Sequence, residues 1–263
     1  MENDYLIRKK PFRALLVFAL PMILGNLFQQ TYTLMDSAIV GRYVGEQALA
    51  AVGASYALTN IFICIAIGGG IGASVVVSRY FGSKEFPRMK LAVYTACLAF
   101  LGVSILLGGF GLALSRQIME VLQTPADVLD MAVDYLNIYF AGLPFLFLYN
   151  VFSSMFNALG KSRIPLYFLI FSSVFNIVLD WVFVADFALD VAGVAWATLI
   201  AQGVSVLGSF TVLRKELKKL EGASDGIFEA EELLPMAKIA LPSILQQSTV
   251  SIGMMIVQAV VNP

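Results

Sequence analysis

Six stretches of this chain, residues 14–35, 47–78, 91–115, 135–160, 191–213 and 239–263, contain no Asp, Glu, Lys or Arg. A seventh, 164–185, contains a single carboxylate, Asp180. Crossing a hydrocarbon core of about 30 Å takes about 20 apolar residues in a helix, so every one of these runs is long enough to span a bilayer. Lipid offers no partners to backbone polar groups, and the runs are too long for barrel strands. The expected class is therefore all-α, a polytopic membrane helix bundle. Composition agrees: 59% of residues are apolar and 13% charged, where a soluble domain carries about 25% charge.

The remaining composition removes whole classes of function. Seventeen Lys and Arg face eighteen Asp and Glu, for a formal net charge of −1, which leaves no basic excess to hold nucleic acid. Histidine is absent, so Ser-His-Asp and Cys-His triads, His-based zinc sites and imidazole proton relays are excluded. Cys64 and Cys97 both lie inside apolar runs, where they are expected to pack as small hydrophobes. No catalytic constellation is left, and the chain is expected not to be an enzyme and to carry no cofactor.

Orientation follows from the basic residues. With a cytoplasmic N-terminus, Arg8, Lys9, Lys10, Arg13, Arg79, Lys84, Arg88, Lys90, Lys161, Arg163, Arg214, Lys215, Lys218, Lys219 and Lys238 all fall on one side. Only Arg42 and Arg116 fall on the other. Losing or adding one span would destroy that segregation, so it supports seven spans in a multi-pass protein of the cell membrane.

A short internal repeat divides the chain. Phe18-Ala19-Leu20-Pro21 with Ile23-Leu24 returns as Ile239-Ala240-Leu241-Pro242 with Ile244-Leu245, each copy opening a span just after a basic anchor. Six helices bring the chain back to its starting side, so the second copy enters in the same direction as the first, a parallel repeat of the kind transporters use. The expected organisation is a six-helix lobe over 1–213, a cytoplasmic linker over 214–238, and over 239–263 the first helix of a truncated second lobe whose remainder is missing.

Two carboxylates lie at membrane depth. Ionisable groups there cost about 2.5 to 3.5 kcal/mol even on insertion scales, so they persist chiefly where they face a cavity or a partner. Asp36 lies about 35 Å along the first helix from Arg13, and Asp180 about 25 Å along the fifth from Arg163, both in the outer half. Asn176 is four residues before Asp180 and shares its face. Thr198, a short way into the next inward-going span, reaches a similar level. Two carboxylates with amide and hydroxyl oxygens suit a hard cation such as sodium, or a shared proton. Asp36 has a second reading, as an interfacial carboxylate reaching outer water, and Asp180 as part of a structural polar cluster. Gln29, Thr33 and Asp36 form a polar stripe at i, i+4 and i+7, and Tyr139 and Asn150 on the fourth span are further candidates for a substrate cavity. Asp186 and Asp190 occupy a short outer loop and are read as solvated. Gly68 to Gly72 suits close helix packing, and Pro21 removes a hydrogen bond from the first helix and creates a candidate hinge.

The residues Phe18 to Gly41 (FALPMILGNLFQQTYTLMDSAIVG), the Gly68-Gly69-Gly70-Ile71-Gly72 run, Ala158 to Pro165 (ALGKSRIP), Asn176 to Asp180 (NIVLD) and Gly193 to Thr198 (GVAWAT) resemble the multidrug and toxic compound extrusion (MATE) family. The likeness covers the whole chain as an N-terminal lobe plus the first helix of the C-terminal one. It implies a twelve-helix, two-lobe antiporter that exports cationic, amphipathic compounds, small organic cations, in exchange for Na+ or H+. It also implies that Asp36, Asn176, Asp180 and Thr198 form the ion-coupling site and that Pro21 bends the first helix. The alternative is a flippase for lipid-linked oligosaccharide precursors, of related architecture. That function asks for Arg or Lys in the cavity to meet pyrophosphate, and none of the seven spans contains one.

Overall fold

The structure, a computed structural model, describes residues 11–187 and 189–261. The basic residues Arg8, Lys9 and Lys10 and the terminal Asn262 and Pro263 lie outside the described residues. Within them the chain is helical throughout, with no strand. Helix α1 is Pro11–Ile39, α2 Glu46–Gly82, α3 Phe86–Val121, α4 Leu129–Ala158, α5 Arg163–Trp181, α6 Asp190–Lys218 and α7 Leu233–Val261. Wider π-helical turns prolong α1 over Val40–Val44 and α5 over Val182–Asp186, and a 3-10 turn, Ala230–Glu232, leads into α7.

Among the described residues, six helices are long and apolar enough to cross a membrane: Leu15–Val44, Leu58–Gly82, Phe86–Val121, Leu129–Ala158, Arg163–Val184 and Asp190–Lys218. They coincide with the first six apolar runs in chain order, and α7 contains the described part of the seventh.

The segment between α6 and α7 is shorter and more ordered than its composition suggests. Helix α6 continues through Arg214 and Lys215 to Lys218, and α7 begins at Leu233, so only 219–232 connect them. Lys and Arg are good helix formers, and their charge suits the carbonyl-rich end of a helix, so the basic stretch prolongs α6.

Helix α2 is the axis of the bundle, packing on α3, α4 and α7. Its glycine run explains how. A β-carbon added at Gly72 would lie 2.5 Å from the Met236 carbonyl oxygen, and one at Gly68 would lie 2.6 Å from the Ile244 backbone nitrogen, so α7 rests directly on these two glycines. Gly69 receives the ring of Phe100 from α3, and Gly70 the hydroxyl of Ser154 from α4. Hydrophobic association offers little inside lipid, so van der Waals contact at small residues has to hold such helices together.

One core, on the basic-rich side, gathers Val77, Met89, Val93, Val151, Met155, Phe156 and Leu213. A second, towards the opposite side, gathers Met119, Leu136, Phe140, Leu143 and Phe147. Cys64 is buried, Cys97 half-buried, and both are free thiols.

Helix α1 packs mainly on α5, through Gly25 against Leu166 and Leu169, and leaves Leu20, Ile23, Leu27 and Leu34 exposed. Pro21 is buried on the packed side, within a helix assigned without interruption. The Ser162 hydroxyl, from the turn before α5, donates to the Phe18 carbonyl oxygen at 3.0 Å.

Candidate functional site

The four polar residues singled out from the sequence meet where α1, α5 and α6 converge. Asp180 is fully buried and Asn176 nearly so, on one face of α5 one turn apart. With its amide oxygen turned to α6, Asn176 donates to Asp180 Oδ2 at 2.9 Å and accepts from Thr198 N at 3.0 Å and Thr198 Oγ1 at 3.2 Å. One amide thus ties the carboxyl of α5 to α6.

Asp36 enters from α1 and stands in hydrogen-bonding contact with Asp180. Because Val40–Val44 carries the helix beyond Ile39, Asp36 sits two turns inside the end of the continuous helical segment. Ionised carboxylates are acceptors only, so two of them in contact need a proton between their oxygens or a cation beside them. One oxygen of each, Asp36 Oδ1 and Asp180 Oδ1, is buried with no protein donor. These are the atoms available to a cation.

Two tyrosines complete the cluster and were not singled out from the sequence. Tyr32, one turn before Asp36, is hydrogen-bonded to Thr198, and Tyr135 of α4 lies within electrostatic reach of both carboxylates. The i, i+4 spacing of Tyr32 and Asp36 was the available signal for the first. Nothing in the local pattern marked Tyr135, which opens the fourth charge-free run.

Other expected residues fare differently. Gln29 and Thr33 lie on an exposed part of α1, outside the cluster, and the Thr33 hydroxyl donates to the Gln29 carbonyl oxygen at 3.0 Å. On α1 it is Tyr32 and Asp36 that turn inward. Tyr139 donates to the Thr59 carbonyl oxygen at 3.0 Å and lines a small cleft of about 30 Å³ between α4 and α6, together with Tyr135, Thr198 and Gln202. The Asn150 amide donates to the Leu146 carbonyl oxygen of its own helix at 2.8 Å. Asp186 is exposed and so is Asp190.

Fold and cluster together define a class, the polytopic α-helical membrane protein with a polar cluster enclosed in its bundle. The MatE family model matches residues 21–182, most of the chain, and the chain belongs to that family. It is 31% identical over 251 residues, 95% of its length, to a probable multidrug resistance protein, YpnP, of Bacillus subtilis (strain 168), and covers 56% of that relative. To the multidrug export protein MepA of Staphylococcus aureus (strain MRSA252) it is 26% identical over 209 residues, 78% of this chain and 46% of that one. Among solved structures, a MATE protein in its straight conformation superposes with a TM-score of 0.88 at 24% identity, over 97% of this chain and 57% of the other. The bent conformation gives 0.86, at the same identity and coverage. The chain spans about half the length of the curated relatives it matches.

Proposed function

We propose that the chain is the N-terminal half of a cation-coupled antiporter of the cell membrane that exports cationic, amphipathic compounds in exchange for Na+ or H+. The observation that carries this reading is the contact of Asp36 with Asp180, two buried carboxyls on different helices, each with an oxygen lacking a protein donor. An antiporter needs a group whose occupancy by the driving ion biases one conformation over another. In this reading a proton or a sodium ion joins Asp36 to Asp180, Asn176 holds the Asp180 carboxyl against Thr198, and Tyr32 braces Thr198 from α1. Loss of the ion leaves two facing anions, and their repulsion falls on α1, the helix least tied to the rest. Pro21 gives α1 a place to bend. The existence of solved relatives in straight and bent forms supports that role without assigning it to this helix.

No cofactor beyond the coupling ion enters the scheme. Tyr139 on the cleft wall, and Gln29 and Thr33 on the exposed side of α1, are the proposed contacts for the exported compound. Asn150, its amide spent on its own helix, is the weakest member of that set. The flippase alternative is not favoured, because no Lys or Arg lines the cluster or the cleft.

The test is dye efflux from proteoliposomes holding the chain together with a second lobe, under an imposed proton or sodium gradient. Asp180→Asn keeps nearly the same shape and is expected to reduce coupled efflux by about 10–100-fold. Asp36→Asn should match it if the two acids act as one site, and the gradient that drives the native protein identifies the ion. Undiminished efflux in Asp180→Asn would overturn the assignment. The 263-residue chain alone is expected to export nothing, and robust efflux from it would remove the two-lobe requirement.

A further inference from the structure

The residues between α6 and α7 are pinned along the first turns of α3 and the end of α2. Lys90 is buried, and its ammonium donates to two carbonyl oxygens of the connecting segment, Leu220 at 2.9 Å and Gly222. Among the described residues it has no carboxylate partner, so the chain reversal is its counterpart. Gly222 makes that reversal with φ +79° and sits so close to Pro87 that a β-carbon there would lie 2.9 Å from its ring. About two turns along α3 from Pro87, the Glu229 backbone N–H donates to Thr95 Oγ1 at 3.0 Å. Gly226, between these points, lies over Leu91.

The last fastening is on α2. Glu232, 9% exposed, accepts the Tyr80 hydroxyl at 2.9 Å and 3.1 Å on its two carboxylate oxygens. No Lys or Arg pairs with it among the described residues, so this carboxylate depends on one phenol. Leu233 begins α7 directly afterwards, and within one turn Met236 has its carbonyl oxygen against Gly72.

We propose that this segment is a latch on the basic-rich side of the membrane, in which Tyr80 and Glu232, backed by Lys90 and Thr95, hold the ends of α2 and α7 together. The seam between α2 and α7 opens on that side only when these bonds part. The docking stands on contacts alone. Its use as a gate rests on the transport reading above.

The seam supplies its own reporter. Met236 is 5% exposed, so with Cys64 and Cys97 replaced by Ala, a cysteine placed by Met236→Cys is shielded from N-ethylmaleimide while the latch is shut. In native membranes carrying the 263-residue chain, adding Tyr80→Phe is expected to speed alkylation about tenfold, the change that losing a hydrogen bond to a charged group supports. Lys90→Met should act in the same direction. A cysteine at Leu136, buried in the second core, which contains no residue of α7, should remain shielded in both variants, which separates an opened seam from general unfolding. An unchanged rate at position 236 in Tyr80→Phe overturns the latch, and so does equal exposure at 236 and 136. Alkylation is read without transport, so a failed efflux assay and a failed latch are distinguishable results.

Discussion

Helices α1 and α7 open with nearly the same sequence and are used in opposite ways. In α7, Ala240 and Ile244 lie against Gly72 and Gly68 of α2, and Pro242 is exposed. Their repeat partners reverse the arrangement: Ile23 is 55% exposed, whereas Pro21 is buried against the α5 side. The carbonyl three residues before each proline makes the contrast concrete. In α7 the Ile239 oxygen accepts from Ser243 of the same helix at 2.9 Å. In α1, which has Met22 where α7 has Ser243, the matching Phe18 oxygen accepts from Ser162 in the turn before α5. A helix proline removes the bond to the carbonyl four residues before it and loosens that turn, and a hydroxyl donor on the adjoining carbonyl steadies it. Helix α7 supplies its own, while α1 is gripped from outside, so a bend at Pro21 would be coupled to whatever moves α5. That helix also carries Asp180.

The sharpest way to break the contrast is to add a methyl group to each helix contact. Gly72→Ala drives a β-carbon into the Met236 carbonyl and is expected to cost about 1–3 kcal/mol as an overpacked site. Gly25→Ala meets only the side-chain ends of Leu169 at 3.5 Å and Leu166 at 3.9 Å and is expected to be neutral or to stabilise by about 0.5–1 kcal/mol through helix propensity. Cross-linking Cys64 to a cysteine at Ser251, whose hydroxyl lies 3.5 Å from the Cys64 sulfur, measures the first, and thermal unfolding in detergent measures both. Equal effects at Gly72 and Gly25 would erase the distinction between the two dockings.

Removing side-chain contact should give a smaller difference of the same sign. Ile244→Ala is expected to cost about 1–2 kcal/mol, below the usual range for a buried isoleucine because lipid replaces water as the alternative environment. Ile23→Ala should lie near zero in the same unfolding assay.

The smallest expected effect is at the two serines. Each lost hydroxyl bond is worth about 1 kcal/mol, but Ser162→Ala should broaden the spin-label distance distribution across Pro21. Ser243→Ala should broaden the one across Pro242 and leave α1 unchanged. If Ser162→Ala leaves the Pro21 distribution narrow, the outside grip on α1 does not govern its bend.

The helices were legible because membrane spanning writes itself as absence of charge, and the cluster because Asp36 and Asp180 are costly at depth, with Asn176 on the face of Asp180 and Thr198 at its level. The end of α6 was harder to place, since Arg214, Lys215 and Lys218 read equally well as linker or as a helix end. Tyr32 and Tyr135 were missed because a tyrosine is at home in any bundle, and only the three-dimensional meeting of α1, α4 and α6 sets them beside the carboxyls. That Gln29 and Thr33 lie apart from the cluster was illegible for a related reason: a polar stripe gives a direction on a helix without saying what lies there. The pinned segment was illegible, because Lys90 binds backbone carbonyls, which every sequence offers at every position.

The glycine run on α2 has a mechanical consequence. Interlocked side chains resist sliding, because each has to leave one hole before entering the next. Between residues 68 and 72, α2 offers α7 almost bare backbone at Gly68 and Gly72, so that stretch of the interface has few teeth. A displacement of α7 there is a slide or roll along the axis that has to lift only Ala240 and Ile244 from the glycine hollows, while Phe100 and Ser154 pack on the other two glycines of the run.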